Sequence, residues 1–307
     1  MNIVIILINL IIFLFLPFLM LGIIKKTKAF WAGRKGVSLL QPWYDFVRLM
    51  KKEPVVSETT SYVFKLAPVV VLASVLTASL FVPTFAGYSI LNVEFSFIIF
   101  AYILGMGKFF SIISAMDTGS SFEGMGASRE ACFTALIEPA FFIIMASICA
   151  TVGILNFQAL NVFLYDTDIL GICIIILCAI ALFIMLLTET SRVPVDDPTT
   201  HLELTMIHEV MILDNSGSDL AFLTWASGIK MVLISSLIGV LFIPFGLSLP
   251  ISILLYLLLM LLIAILIGTI ESAIARLRMS HVMEFVFTMS AVALIILSLI
   301  TIKVYGG

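Results

Sequence analysis

The chain has 307 residues, 62% of them hydrophobic and only 11% charged, with a formal net charge of -3 and a mean hydropathy of +1.23. Soluble globular domains are nearer half apolar and a quarter charged, so an ordinary water-soluble enzyme is excluded and an all-α polytopic membrane protein is expected. The small net charge says little for a chain mostly dissolved in the lipid bilayer, and nothing in it points to nucleic acid.

Eight apolar segments are long enough to cross about 30 Å of hydrocarbon, which takes roughly 20 residues each: 2–24, 62–84, 92–115, 131–155, 168–188, 223–246, 249–270 and 281–303. The first lacks a basic leader and is followed by Lys25, Lys26 and Lys28. It reads as a retained span with its N-terminus outside. Between 25 and 61 lie Lys25, Lys26, Lys28, Arg34, Lys35, Arg48, Lys51 and Lys52, and alternate loops further on carry Arg129, Arg192 and the pair Arg276 and Arg278. The intervening loops, near 85–91, 156–167 and 247–248, carry no Lys or Arg. Because Lys and Arg accumulate in cytoplasmic connections, both termini are expected outside, with the charged loops inside the cell. No internal repeat or linker divides the sequence, so residues 1–307 form one expected membrane domain, with 25–61 and 189–222 as the cytoplasmic loops where a soluble partner would dock.

The first loop holds GRKGVSLLQPWYDFVRLMKKE, Gly33 to Glu53. The spacing of Leu39, Leu40, Trp43, Phe46, Val47 and Met50 predicts a turn feeding an amphipathic interfacial helix. Inside or beside the spans stand Lys108, Glu138, Glu189, Lys230, Glu271 and Glu284. Ionisable groups at such depth usually line a cavity, pair, or serve transport, although Glu189, Glu271 and Glu284 lie near predicted span ends, where a charge also anchors a helix. All six fall towards the cytoplasmic side, a half-channel pattern with no evident outer exit.

The stretch 189–217, ETSRVPVDDPTTHLELTMIHEVMILDNSG, concentrates acidic residues and two histidines in an otherwise apolar chain. After Pro198 it predicts a short helix with His201, Thr205 and His208 on one face and an apolar stripe of Leu202, Met206, Val210 and Leu213. Glu189, Asp196, Asp197, Glu203 and Glu209 could store and relay protons once desolvated. A zinc-protease site fails, because His208 and Glu209 would require a second histidine where Ile212 stands. Cys132, Cys149, Cys173 and Cys178 sit in apolar runs without the close pairs of metal or cluster sites. No metal site or cofactor is therefore expected in this chain.

Three segments, GRKGVSLLQPWYDFVRLMKKE, GASREACFTALIE (Gly126 to Glu138) and RVPVDDPTTHLEL (Arg192 to Leu204), together resemble the membrane subunit shared by respiratory complex I, in its subunit 1 family, and membrane-bound nickel-iron hydrogenases of the hydrogenase-4 and formate hydrogenlyase type. The second segment supplies the family's arginine, here Arg129, and nine residues later its embedded glutamate, Glu138. In the third, Arg192, Pro194, Asp196 and Glu203 match the complex I pattern. Val195 replaces its phenylalanine, and Thr199 and His201 replace two glutamates. The HLELTMIHEVMILDNSG wording resembles the hydrogenase-type members instead.

The resemblance implies a non-catalytic anchor and coupling subunit in a prokaryotic inner membrane. Its implied partners are a hydrogenase large subunit bearing a nickel-iron centre, a small subunit bearing iron-sulfur clusters, and antiporter-like membrane subunits. Partner docking is then expected at Arg34, Lys35, Gln41, Asp45, Arg48, Arg129 and Arg192. Proton relay is expected through Lys108, Glu138, Glu189, Asp196, Asp197, His201, Glu203, His208, Glu209 and Lys230. The alternatives are a complex I quinone-chamber subunit, a stand-alone secondary transporter, which the absence of repeats and broken paired helices disfavours, and a passive anchor.

Overall fold

The computed structural model describes residues 3–85, 87, 89–163, 168–196, 206–244 and 246–305. Among these, all regular structure is helical: α1 (Ile3–Trp31), α2 (Gln41–Met50), α3 (Tyr62–Ser79), α4 (Ser96–Asp117), α5 (Ser121–Val152), α6 (Gln158–Phe163), α7 (Ile169–Glu189), α8 (His208–Met211), α9 (Gly217–Val240), α10 (Leu249–Ala273) and α11 (Met279–Tyr305). Eight of them, all but α2, α6 and α8, are long and apolar enough to cross a membrane, matching the eight predicted spans.

At the end predicted cytoplasmic, three boundaries differ most from the sequence reading, each for a physical reason. Helix α1 runs on past Lys25, Lys26 and Lys28 to Trp31, since long cationic side chains can reach headgroups while their stems stay in apolar surroundings. Helix α5 begins at Ser121, ten residues before the predicted span. Arg129, expected in a loop, is therefore on a helix that continues into the bundle. Helix α9 begins at Gly217, six residues early, its first turn being too polar for hydropathy to include.

Helix α9 is the central member, packed by α1, α3, α7 and α10. Small residues permit the close approach that membrane helices need in place of a hydrophobic drive. Gly228 faces Pro17 of α1, and Ser235 and Ser236 are fully buried, with Ser236 sharing a 2.7 Å hydrogen bond with Tyr256 of α10. Helix α11 closes the other side against α5 and α7.

The amphipathic helix α2 lies across α1 and α9 through an aromatic cluster. Trp43 meets Phe18 edge-on at 5.1 Å, Phe46 lies 5.2 Å from Trp225, and the Trp225 indole N–H donates to the Leu14 carbonyl at 3.2 Å. Trp43, Phe46 and Val47 form the half-buried face as predicted, whereas Leu39 and Leu40 are exposed because the helix starts only at Gln41, and Met50, its last residue, is exposed too. Every connection predicted cytoplasmic meets others at one end of the bundle. Asp117 accepts from Ser61, Glu123 accepts from the Asp214 amide, and Lys28 pairs with Glu271. The opposite end is joined by Asn92 with Asn156 and by Asn161 with the Val240 and Ile243 carbonyls.

One glycine governs how α8 seats on the bundle. A Cβ at Gly126 would run into Val210 of α8 and sit 2.8 Å from the Ile207 carbonyl, while one at Gly124 would meet nothing within 4 Å. Gly126→Ala should therefore cost about 1–3 kcal/mol through overpacking, and Gly124→Ala, which gains helix propensity, should cost nothing. Thermal unfolding of the two variants in detergent measures the difference, and equal midpoints would contradict this seating of α8.

Candidate functional site

Helix α5 presents Glu130, Thr134 and Glu138 at four-residue intervals, a spacing that lines side chains along one face. Opposite them α4 carries Lys108, α7 ends at Glu189, and α9 carries Lys230. The Lys108 ammonium donates to Glu189 Oε1 at 2.5 Å and to Thr134 Oγ1 at 2.9 Å, with Glu130 Oε1 at 3.8 Å. Lys230 approaches the other Glu189 oxygen at 3.6 Å. Glu189 thus sits between two ammonium groups with its side chain only 4% exposed. Deleting one partner of such a buried pair strands the other charge, at about 3–5 kcal/mol. Glu138 is half-buried and, with Lys108 and Glu189, borders a small cavity of about 20 Å³. A second cavity of about 30 Å³ touches Lys108, Glu130, Lys230 and His208. Each has room for a water molecule.

A third and larger cavity, about 370 Å³, opens between α1, α2 and α9, with Phe18, Phe46 and Trp225 on its apolar side and Arg192, His208 and Glu271 on its polar side. His208 borders this cavity and the second one, and Lys108 borders the second and the first. The three spaces therefore follow one another along a line of titratable groups from the loop end of the bundle to Glu138.

The 190–196 segment is clamped over this line. Asp196 is fully buried. One of its oxygens lies 2.8 Å from the Arg276 guanidinium, and the other accepts from the backbone amides of Ile207 and His208 at 3.0 and 3.2 Å. Arg192 reaches Glu271 at 3.3 Å, Lys28 holds the other oxygen of the same carboxylate at 2.9 Å, and the Leu277 amide donates to the Pro194 carbonyl. Arg129 donates to the Met206 carbonyl at 2.9 Å, tying α5 to the strand of chain entering α8. Burial, then Lys230, push the His208 imidazole down to about 4. It is neutral near pH 7, so one ring nitrogen can accept a proton while the other donates.

Of the predicted relay residues, Lys108, Glu138, Glu189, His208 and Lys230 come together. Asp196 and Glu209 stand at the clamp and the large cavity. Asp197, His201 and Glu203 lie outside the described residues. Glu189 and Glu271 are buried and paired rather than anchored at headgroup level, whereas Glu284 is exposed and pairs with His281. Among the docking residues, Gln41 and Arg48 both bond Asp45 along α2, at 3.0 and 3.2 Å. Arg34 and Lys35 are exposed, and Arg129 and Arg192 turn inward. Met206 and Val210 of the predicted stripe are buried, while Leu213, beyond the end of α8, is exposed. The sequence reading missed Glu130 and Arg276. Glu130 was legible as a residue four before Thr134 and eight before Glu138, once α5 is known to begin at Ser121. Arg276 carried no such signal, because only the tertiary fold sets it beside Asp196. Among the described residues no group of three or more metal-ligating side chains gathers.

A family profile described as NADH dehydrogenase matches residues 3–302. Hydrogenase-4 component C of Escherichia coli is 29% identical over 246 residues, covering 79% of this chain and 76% of that protein. Formate hydrogenlyase subunit 4 of the same organism is 28% identical over 235 residues, covering 74% and 73%. NADH-ubiquinone oxidoreductase chain 1 of Triticum aestivum is 26% identical over 226 residues, covering 71% and 68%. A chain in the structure of the membrane-bound sulfane sulfur reductase, an archaeal respiratory membrane complex, shares the fold with a TM-score of 0.80 over 96% of this chain and 97% of its own, at 17% identity.

His208 generates a pH test. Its pKa is about 4 when folded and about 6.5 when unfolded, so the unfolded chain binds more protons between those values and stability rises with pH there. The contribution is fully present above pH 6.5 and is lost as pH falls through 4. In thermal unfolding of the detergent-solubilised chain, His208→Gln should lose less stability than the wild type between pH 6.5 and 4. Parallel curves would place the imidazole outside the buried line.

Proposed function

The chain belongs to the NADH dehydrogenase subunit 1 family, and from that premise we propose that it is the membrane-anchor and coupling subunit of an energy-converting nickel-iron hydrogenase complex. The single observation that carries the coupling role is the series from the Asp196 clamp through His208 to Lys108, Glu189 and Glu138, whose members share the walls of successive cavities. The relatedness to hydrogenase-4 component C and formate hydrogenlyase subunit 4 supports the choice of complex.

In this reading the end of the bundle bearing α2, α8 and the loops faces the cytoplasm, as its Lys and Arg content favours, and both termini lie outside. A hydrogenase large subunit and a small iron-sulfur subunit dock there, and their nickel-iron centre and clusters carry out 2H+ + 2e- to H2 or its reverse. This chain supplies binding and proton handling. Three carboxylates, Glu130, Glu138 and Glu189, face two ammonium groups, Lys108 and Lys230. The cluster is neutral when it holds one proton beyond full ionisation, and a buried uncompensated charge is costly enough to favour that state.

A redox step in the partner perturbs the clamp at Asp196. Movement of that segment shifts the field at His208, which borders the large cavity and the one beside Lys230, and the shared proton relocates between Glu189 or Glu130 and Glu138. From half-buried Glu138 the change passes sideways to antiporter-like subunits that carry protons or sodium ions across the membrane. The coupling element is the clamped segment, whose two arrangements both sites would bias. A second reading, a quinone-chamber subunit, draws on the 370 Å³ cavity with its aromatic side and polar end.

The test is purification of the intact complex in gentle detergent, with metal analysis, hydrogen-evolution assay and reconstitution into liposomes. Nickel, iron and H2 production support the proposal, and bound quinone without nickel moves the chain to the second reading. Glu138→Gln should leave H2 turnover in detergent intact but slow ion movement in liposomes by about 10²-fold, the scale of a lost proton-transfer group. Unchanged ion movement would leave a passive anchor.

A further inference from the structure

The basic segment after the apolar part of α1, part of the loop expected to dock a partner, also borders a groove that the proton relay does not use. Residues 25–35 carry Lys25, Lys26, Lys28, Arg34 and Lys35 with no acidic residue. Where this segment passes the C-terminal end of α10, a groove of about 420 Å³ is lined by Lys28, Trp31, Arg34, Glu271 and Ser272.

The charge of the groove is unbalanced. Its one carboxylate, Glu271, has a fully buried side chain already held by Lys28 at 2.9 Å and Arg192 at 3.3 Å. Arg34 lines the groove and forms no ion pair among the described residues, so its five N–H donors are not committed to a carboxylate there. The groove is thus lined by two cations, Lys28 and Arg34, and by one carboxylate that Lys28 and Arg192 already pair, so its mouth is positive. The walls are those of a membrane interface. Trp31 is 59% exposed while its indole N–H donates to Thr269 Oγ1 at 3.3 Å, fixing it against α10. Interfacial tryptophans lie at headgroup level in this manner. Below it, towards the middle of the bundle, α10 exposes Leu258, Leu262, Ile265 and Leu266, an apolar wall continuous with the groove.

We propose that the groove between the ends of α1 and α10 is a binding site for an anionic phospholipid. Its phosphate sits against Arg34 and Lys28, and an acyl chain lies along the leucine-rich face of α10. Arginine favours phosphate through its planar fork of donors, and a cluster of cations immediately beyond a membrane helix attracts anionic lipid, each contributing about as much as a fivefold change in affinity. The lipid wall sets this site apart from one for a free anion, which would have no use for the exposed apolar face below the cations.

The test uses the intact complex, delipidated and then titrated with phosphatidylglycerol, phosphatidylcholine or inorganic phosphate, reading the unfolding midpoint of this chain together with lipid retention by native mass spectrometry. Phosphatidylglycerol should be retained and raise the midpoint, and the other two should not. Arg34→Gln should weaken phosphatidylglycerol binding about fivefold. Ser272→Phe, which fills the groove from an exposed position, should abolish it, while Lys51→Gln, on the C-cap of α2, should not. Equal effects of phosphatidylcholine, equal effects of inorganic phosphate, or wild-type binding by both groove variants would each overturn the assignment. So would crosslinks from the groove to a soluble subunit with no retained lipid, which would give it to a protein partner. None of these readouts depends on hydrogen evolution.

Discussion

Glu189 ends its helix inside the bundle with an ammonium group on either side, and the arrangement of the other helices follows from satisfying it. A carboxylate in that position, at the last residue of α7, can persist only if α4 brings Lys108 and α9 brings Lys230 to it. That requirement helps fix three helices relative to one another at a single depth. Helix α5 then completes the cluster with Thr134 and Glu130 on the face turned towards Lys108. Packing alone, in a lipid environment where leucine gains nothing by meeting leucine, specifies such a register weakly. The ion pairs and the small residues of α9 supply what hydrophobicity cannot.

The same cluster explains why the loop end of the bundle is built as it is. Asp196, held by Arg276 and by two backbone amides, and Glu271, held by Lys28 and Arg192, join the ends of α1, α7, α10 and α11. This set of charge-assisted bonds is positioned to report an event at the cytoplasmic surface, because each bond crosses between elements. His208 follows directly from Asp196 through its own amide and borders the cavity leading to Lys108. A neutral imidazole there can pass a proton in either direction without adding a buried charge.

The eight spans and their common charged end were legible because hydropathy and Lys/Arg placement act over whole segments. The amphipathic face of α2 was readable from Trp43, Phe46 and Val47, but its start was not, since Leu39 and Leu40 continue the pattern into an exposed turn. Lys108, Glu138, Glu189 and Lys230 stood out as charges in apolar runs, yet nothing in their spacing along the chain said that Lys108 and Lys230 share Glu189. Glu130 was hidden for a different reason: the polar N-terminal turns of α5 dilute its hydropathy, so the helix that places Glu130 below Glu138 went unread. The Arg276 to Asp196 contact joins residues 80 apart in number and belongs wholly to tertiary structure. The resemblance to the subunit 1 family rested on three short segments, and the family match extends across nearly the whole chain.

The central claim is that a redox step in the docked partner changes the protonation of this buried cluster. Infrared difference spectroscopy on the reconstituted complex, triggered by adding and withdrawing reductant, reads it directly through the carbonyl stretch of protonated carboxyl groups. A difference band that shifts in heavy water and is lost in both Glu138→Gln and Glu189→Gln is the predicted result. A spectrum without a carboxyl band, or one unchanged by either substitution, would show that the cluster holds the helices together and takes no part in coupling.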